Sequence, residues 1–269
     1  MAPDRPAAPL PRAHRTERTL SPFLADLAVD PAIALLAVVA FAFFVETSLG
    51  FGATLLSVTL GAALLPIPQL LPALVPLNLF ISLWILSRAH SAVHRRLLLR
   101  WILPWMGLGI PAGIALFLFA GADGLARILG GCVALLAARE LLPCDPAARP
   151  VPHPAVQRTV LLLGGVMHGA FGSGGPFVVY VLGRQGLDKE AFRATLAALW
   201  VCLNLVLLVT WLATGAFPAD TLSRSAWLAG GALIGMVAGQ ALFVRLPAAA
   251  FRRLVFGLLL LAGLALLVR

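Results

Sequence analysis

Apolar residues run through this chain in long blocks, separated by short polar or glycine-rich intervals, and the blocks fall into two sets of five. The first set reads as 31–48, 51–66, 70–87, 100–119 and 125–141, and the second as 159–171, 175–186, 191–214, 226–243 and 252–268. Charge is almost absent inside them. From Pro31 to Ser87 the one Asp, Glu, Lys or Arg is Glu46, and Thr159 to Gly183 holds none. A membrane-crossing helix needs about 20 mainly apolar residues. The pattern therefore predicts an all-α, polytopic membrane helical bundle of about 8–10 segments. The blocks flanking each glycine-rich interval are short for a full crossing, so they read as half-helices or re-entrant pieces.

Those glycine intervals occur twice. Glu46-Thr47-Ser48-Leu49-Gly50-Phe51-Gly52-Ala53-Thr54 is the first, and His168-Gly169-Ala170-Phe171-Gly172-Ser173-Gly174-Gly175-Pro176 the second. Setting Gly50 on Gly172 brings Gly52 onto Gly174 and Glu46 onto His168. Downstream, a constant shift of 126 pairs Asn78 with Asn204, Gly109 with Gly235, Gly113 with Gly239, Arg127 with Arg253 and Gly131 with Gly257. A fixed offset across so many landmarks points to internal duplication. The organisation that follows is a basic, Pro/Arg-rich tail (1–30), a first transmembrane repeat (31–142), a polar linker (143–158) and a second repeat (159–269). The tail carries Arg5, Arg12, Arg15 and Arg18 but no apolar core of the kind a secretory signal has, and reads as a disordered or interfacial leader. The linker is rich in helix breakers, among them Pro143, Pro146, Pro150, Pro152 and Pro154.

Composition agrees: 61% of residues are hydrophobic, 12% are charged and the mean hydropathy is +0.97. The net charge of +9 does not indicate nucleic acid, because the arginines sit in short loops and tails between apolar blocks, where they set orientation. The 88–100 loop, with four arginines and two histidines, is the first candidate for a cytoplasmic face. Placing the 245–253 loop on that face too makes the repeats inverted, with five crossings per half and the tail outside; parallel repeats, the alternative, put the tail inside but leave Arg245, Arg252 and Arg253 outside. Trp84, Trp101, Trp105 and Trp227 lie near block ends, as interfacial anchors do. Cys132, Cys144 and Cys202 form no CxxC pair or metal spacing, so neither a disulfide, a metal nor another cofactor is expected.

The candidate chemistry gathers at the breaks. Gly50, Gly52, Gly172, Gly174 and Gly175 free the backbone from helix geometry, and Pro176 suits the start of a new half-helix. A helix start exposes unpaired N–H groups and a positive dipole end, which suits an anion. Thr54, Ser48 and Ser173 add hydroxyls, although such hydroxyls often bond their own backbone. Glu46 and His168 are ionisable groups at membrane depth, which marks them as proton-coupling or substrate-contact candidates. A structural hydrogen-bonded pair is the other reading, and both stay open. Asn78 and Asn204 need partners inside apolar helices, either the substrate or inter-helix hydrogen bonds. Gly109/Gly113 and Gly235/Gly239, four residues apart, read as close-packing surfaces. Trp200 shares a face with Asn204, with packing the simpler role. There is no phosphate loop, HExxH or GxSxG, so no catalytic residue is assigned.

The two breaks and the duplicated asparagine segments, over about 33–268, resemble the TauE/SafE family of sulfite-exporter-like permeases. The resemblance implies a bacterial inner-membrane, multi-pass protein that moves sulfite, organosulfonates or related small anions. The expectation is a secondary transporter and exporter, binding its anion through Gly50, Gly52, Thr54, Gly172, Ser173, Gly174, Gly175, Asn78 and Asn204. Its partners would be the small anion and the lipid bilayer, with homo-oligomerisation left open. A passive anion channel and an intramembrane enzyme using Glu46 and His168 are the alternatives. The second break is richer in glycine than the first, which makes it the better anion holder.

Overall fold

The computed structural model describes residues 30–142, 151–215, 217, 219–243 and 248–268. The tail up to residue 29, residues 143–150 of the linker, and Arg245 lie outside the described residues. Among the described residues, ten helices of eight residues or more follow the two sets of apolar blocks: α1 (Pro31–Leu49), α2 (Ala53–Gly61), α3 (Ile67–Ala89), α4 (Leu103–Phe119), α5 (Ala122–Leu141), α6 (Pro154–Phe171), α7 (Gly175–Leu182), α8 (Lys189–Thr214), α9 (Thr221–Phe243) and α10 (Ala248–Val268). A short helical turn and a π-helical turn, Leu98–Ile102, lead into α4. Among the described residues, Pro31–Ser48, Ile67–Ala92, Arg95–Phe119 and Lys189–Thr214 are each long and apolar enough to cross a membrane.

α1 and α6 begin and end by the same devices. Asp30 caps α1 by accepting from Ala32 N, and His153 caps α6 by accepting from Ala155 N. A proline opens each helix, where its missing N–H costs nothing. Each stops at a left-handed glycine: Gly50 (φ 88°) donates to Glu46 O, and Gly172 (φ 61°) donates to His168 O.

The chain then reverses. Gly61, at the end of α2, lies against Leu35 near the start of α1, whereas Gly52 lies against Val45. So α2 folds back along α1. In the same manner Phe177 of α7 packs on Gly164, and Gln185 just beyond α7 donates to Gln157 near the start of α6. Both α1–α2 and α6–α7 are antiparallel helical hairpins, as the short blocks suggested. The expected five crossings per half are therefore corrected to three long helices plus a hairpin, because α2 and α7 return towards the side from which α1 and α6 came.

The hairpins are held by close helix contacts. α6 runs parallel to α4: Gly109 faces Leu162–Val166 and Gly113 faces Val166–Ala170. α1 runs parallel to α9 through Gly231 on Leu36, Gly235 on Ala40 and Gly239 on Phe44. A Cβ at Gly113 would sit 2.1 Å from Val166 O, and one at Gly235 would sit 2.0 Å from Ala40 O, so any side chain would force the helices apart. Backbone proximity of this kind is how helices associate where water supplies no drive. The Gly109/Gly113 and Gly235/Gly239 pairs are packing surfaces.

α3 and α8 cross at the centre in opposite directions. Asn204 bonds Asn78, while His94, just past α3, donates its N–H to Thr195 near the start of α8. α5 and α10 are also antiparallel, with Ala134 beside Gly263 and Gly131 beside Leu267. These directions bring Arg88, Arg95, Arg96, Arg100, Arg139, Arg158 and Arg184 to one end of the bundle. There Arg158 stacks on Trp101 and Trp105, and Arg139 and Arg184 stack on Tyr180. The opposite end carries a compensated pair, Asp220–Arg224, with Arg224 also donating to Gln69.

Candidate functional site

Each hairpin tip reaches the middle of the bundle, because Asn78 is the central residue of α3 and touches both arms of the first tip. Glu46, in the last turn of α1, is 2% exposed. Its Oε2 accepts from Ala53 N at 2.7 Å, so the carboxylate caps the start of α2. Asn78 Nδ2 donates to both carboxylate oxygens at 3.0 Å, and reaches Thr54 Oγ1 at 3.4 Å. Among the described residues, no cation lies within ion-pair distance of Glu46. A carboxylate at a helix start with an amide donor is held by dipole and hydrogen bonds alone.

The polar chain continues into the other half. Asn204 Nδ2 donates to Asn78 Oδ1 at 2.7 Å, and Ser82 Oγ reaches the same oxygen at 3.4 Å. His168, 1% exposed, stacks on Trp200 with ring centroids 5.5 Å apart and planes 8° from parallel. Asn204 lies beside His168, yet neither ring nitrogen attains hydrogen-bond geometry and Asn204 Oδ1 is also without a partner. Trp200 Nε1 donates to Gly50 O at 3.2 Å, tying the first tip to α8.

The tips meet around a small cavity of ≈ 10 Å³, lined by Glu46, Gly52, Thr54, Asn78, Gly172, Ser173, Gly175 and Trp200 together with Leu55. A single water would fill it. Phe51 of the first tip packs on Gly175 of the second, where a Cβ would come within 2.9 Å of the ring. Most of the residues singled out in the sequence thus converge. Gly50, Gly174, Asn204 and His168 stand one layer back: Gly50 carries the Trp200 bond, and Gly174 fits against Gly164 O and Met106 Cε. Ser48 is turned away, its hydroxyl donating to Phe44 O and Gly239 O. Trp200, for which packing was the simpler expectation, walls the cavity.

Arg193 and Gln240 were not singled out. Arg193 of α8 lies against Gly50, and its guanidinium donates to Gln240 Oε1 of α9 at 2.8 Å. At the shift of 126 their counterparts are Ile67 and Ile114, so a search for matching polar pairs passes over them. An arginine inside an otherwise apolar block was the available signal.

A second, larger space of ≈ 570 Å³ lies between α4 and α8, faced by Leu103, Ile110, Ile114, Cys202, Leu203 and Val206. Its walls are nearly all hydrocarbon, which suits a lipid chain and offers an anion no donor.

A family model described as sulfite exporter TauE/SafE matches residues 35–266. The chain belongs to the TauE/SafE family. Neither the curated proteins nor the solved structures show a match to it. TauE/SafE membership makes this a multi-pass membrane transporter and not an enzyme. The match reaches into all ten helices and spans both hairpin tips.

Proposed function

We propose that this TauE/SafE protein is a secondary transporter that exports a small oxyanion across a bacterial inner membrane by alternating access. Sulfite, an organosulfonate or a related carboxylate is the substrate, with Glu46 and His168 coupling its movement to protons. The observation that carries the reading is the convergence of two broken helices on one buried cavity between the starts of α2 and α7. Helix starts of this kind bind anions through free N–H groups without a buried cation. Discontinuous helices meeting mid-bundle are where secondary transporters hold substrate.

Residues 31–142 and 159–269 act as two inverted repeats. Support comes from the central pairs: α3 and α8 correspond at the shift of 126 and run antiparallel, as do α5 and α10. Antiparallel counterparts put the pseudo-two-fold axis in the membrane plane. Three crossings and a hairpin per half keep the number odd, which inversion requires. The arginine-rich end then faces the cytoplasm.

The cavity has room for one water, so the conformation described is closed around the site. Loading requires one hairpin with its partner helix, α1 with α9 or α6 with α4, to move against the other. Counterflow in proteoliposomes tests the proposal. Labelled sulfite should be taken up faster when unlabelled sulfite waits inside, with saturation. Uptake without trans-stimulation would indicate a channel, and conversion of substrate in detergent without a gradient would indicate an enzyme.

A further inference from the structure

We propose that the Glu46 carboxylate is a tethered anion filling the first of two anion seats at the matching helix starts, so that a substrate anion takes the second seat only together with a proton on Glu46. The inference rests on the anion-transport reading above.

The first seat is visibly occupied. Ala53 N–H, at the start of α2, and Asn78 Nδ2 both point at Glu46 oxygens, at 2.7 and 3.0 Å. A carboxylate in that place receives what a bound oxyanion would receive: a helix start and a side-chain amide. In the second half the same positions are Gly175, Asn204 and His168. There the acid is missing. Gly174 supplies no side-chain cap to α7, and Asn204 gives its N–H to Asn78. His168 is buried, with both ring nitrogens unpartnered. Ser173 and Gly175 line the same cavity as Glu46, Gly52 and Thr54, so the start of α7 and the filled seat share a wall.

Two negative charges in adjoining seats repel, and among the described residues no ion pair with Glu46 offsets this. α2 bears no charged residue, and α3 has Arg88 at its far end. α8 brings Lys189, Glu190 and Arg193, the last bonded to Gln240. α9 brings Arg224, which is paired with Asp220, and α6 brings Arg158 and His168. None of these forms an ion pair with Glu46. A proton on Glu46 removes the repulsion and turns the acceptor into an O–H donor for the incoming anion.

The test uses methanesulfonate, an anion whose charge does not change near neutral pH, and thiosulfate as a dianionic second probe, on the purified full chain in detergent. Calorimetry in buffers of differing ionisation enthalpy counts the protons taken up per anion. Wild type should take up one, and its Kd should weaken about tenfold per pH unit where Glu46 is charged. Glu46→Gln should take up none and keep one Kd across that range. Glu46→Ala vacates the first seat, so at a pH where Glu46 is charged in wild type, formate should raise the Tm of the variant by more than it raises that of wild type. Anion binding by wild type without proton uptake, or equal uptake by Glu46→Gln, overturns this inference while sparing the transporter reading. Failure of both probes to bind either protein overturns both. If Glu46→Ala does not fold, the Glu46→Gln comparison decides alone.

Discussion

Asn78 and Asn204 occupy matching positions and bond one another, yet their replacement by leucine should have unequal consequences. Leucine is close to asparagine in size, so the comparison isolates the polar contacts. Asn78→Leu removes the donor to both Glu46 oxygens, the contact with Thr54 Oγ1 and the acceptor for Asn204 Nδ2. A hydrogen bond to a charged group is worth about 1.5–3 kcal/mol, and a stranded buried donor costs about 1–3 kcal/mol more. The loss should be about 3–5 kcal/mol. Asn204→Leu removes one neutral amide bond, and Asn78 Oδ1 keeps Ser82 Oγ. Single hydrogen bonds between membrane helices average about 0.6 kcal/mol and reach about 1.7. Its loss should be about 1 kcal/mol. Equilibrium unfolding in mixed micelles, followed by circular dichroism, measures both variants against wild type. Equal losses, or a larger loss for Asn204→Leu, would refute the claim that Glu46 makes the first half the more demanding one.

Three further outcomes follow from the geometry. Gly172→Ala places a Cβ at φ +61°, 2.9 Å from Leu71 Cδ1 and 3.0 Å from Thr54 Cγ2; the left-handed conformation alone costs about 1–2 kcal/mol, so the variant should lose thermal stability and sulfite counterflow together. Gly235→Ala, with Ala40 O only 2.0 Å from the new Cβ, should lower stability by about 1–3 kcal/mol, whereas Gly230→Ala on the same helix, with open space around it, should be neutral or stabilising by up to about 1 kcal/mol in the same unfolding assay. On a cysteine-free background, Ser91→Cys and Ser223→Cys, both exposed and at opposite ends of the bundle, should react with an impermeant maleimide from opposite sides of oriented vesicles.

The ten helices were legible because each is an apolar run of characteristic length, and the hairpin tips because glycine and polar residues interrupt those runs together. The reversal at each tip was only half legible: hydrophobicity reports how long a segment is, not which way it points, and α2 would look the same continuing α1 as returning along it. The pairing at the site was harder. A repeat offset aligns Glu46 with His168, but an offset relates positions across an axis and does not put them in contact. Glu46 finds Ala53 and Asn78 within its own half. Asn78 and Asn204 do meet, because α3 and α8 cross at the centre of the bundle. Arg193 and Gln240 stayed hidden because their partnership has no image in the other half.

The bond between Asn78 and Asn204 has one more consequence. A hydrogen bond between two like residues cannot itself be symmetric, since one must give and the other receive. Here Asn78 turns its Nδ2 towards Glu46, leaving Oδ1 to face its counterpart, and Asn204 can only give. Rotating both amides would reverse the arrow, but would also point Asn78's oxygen at a carboxylate, which is tolerable only when that acid carries hydrogen. The reversed arrow, at the point where the two halves touch, is therefore open only to a protonated Glu46.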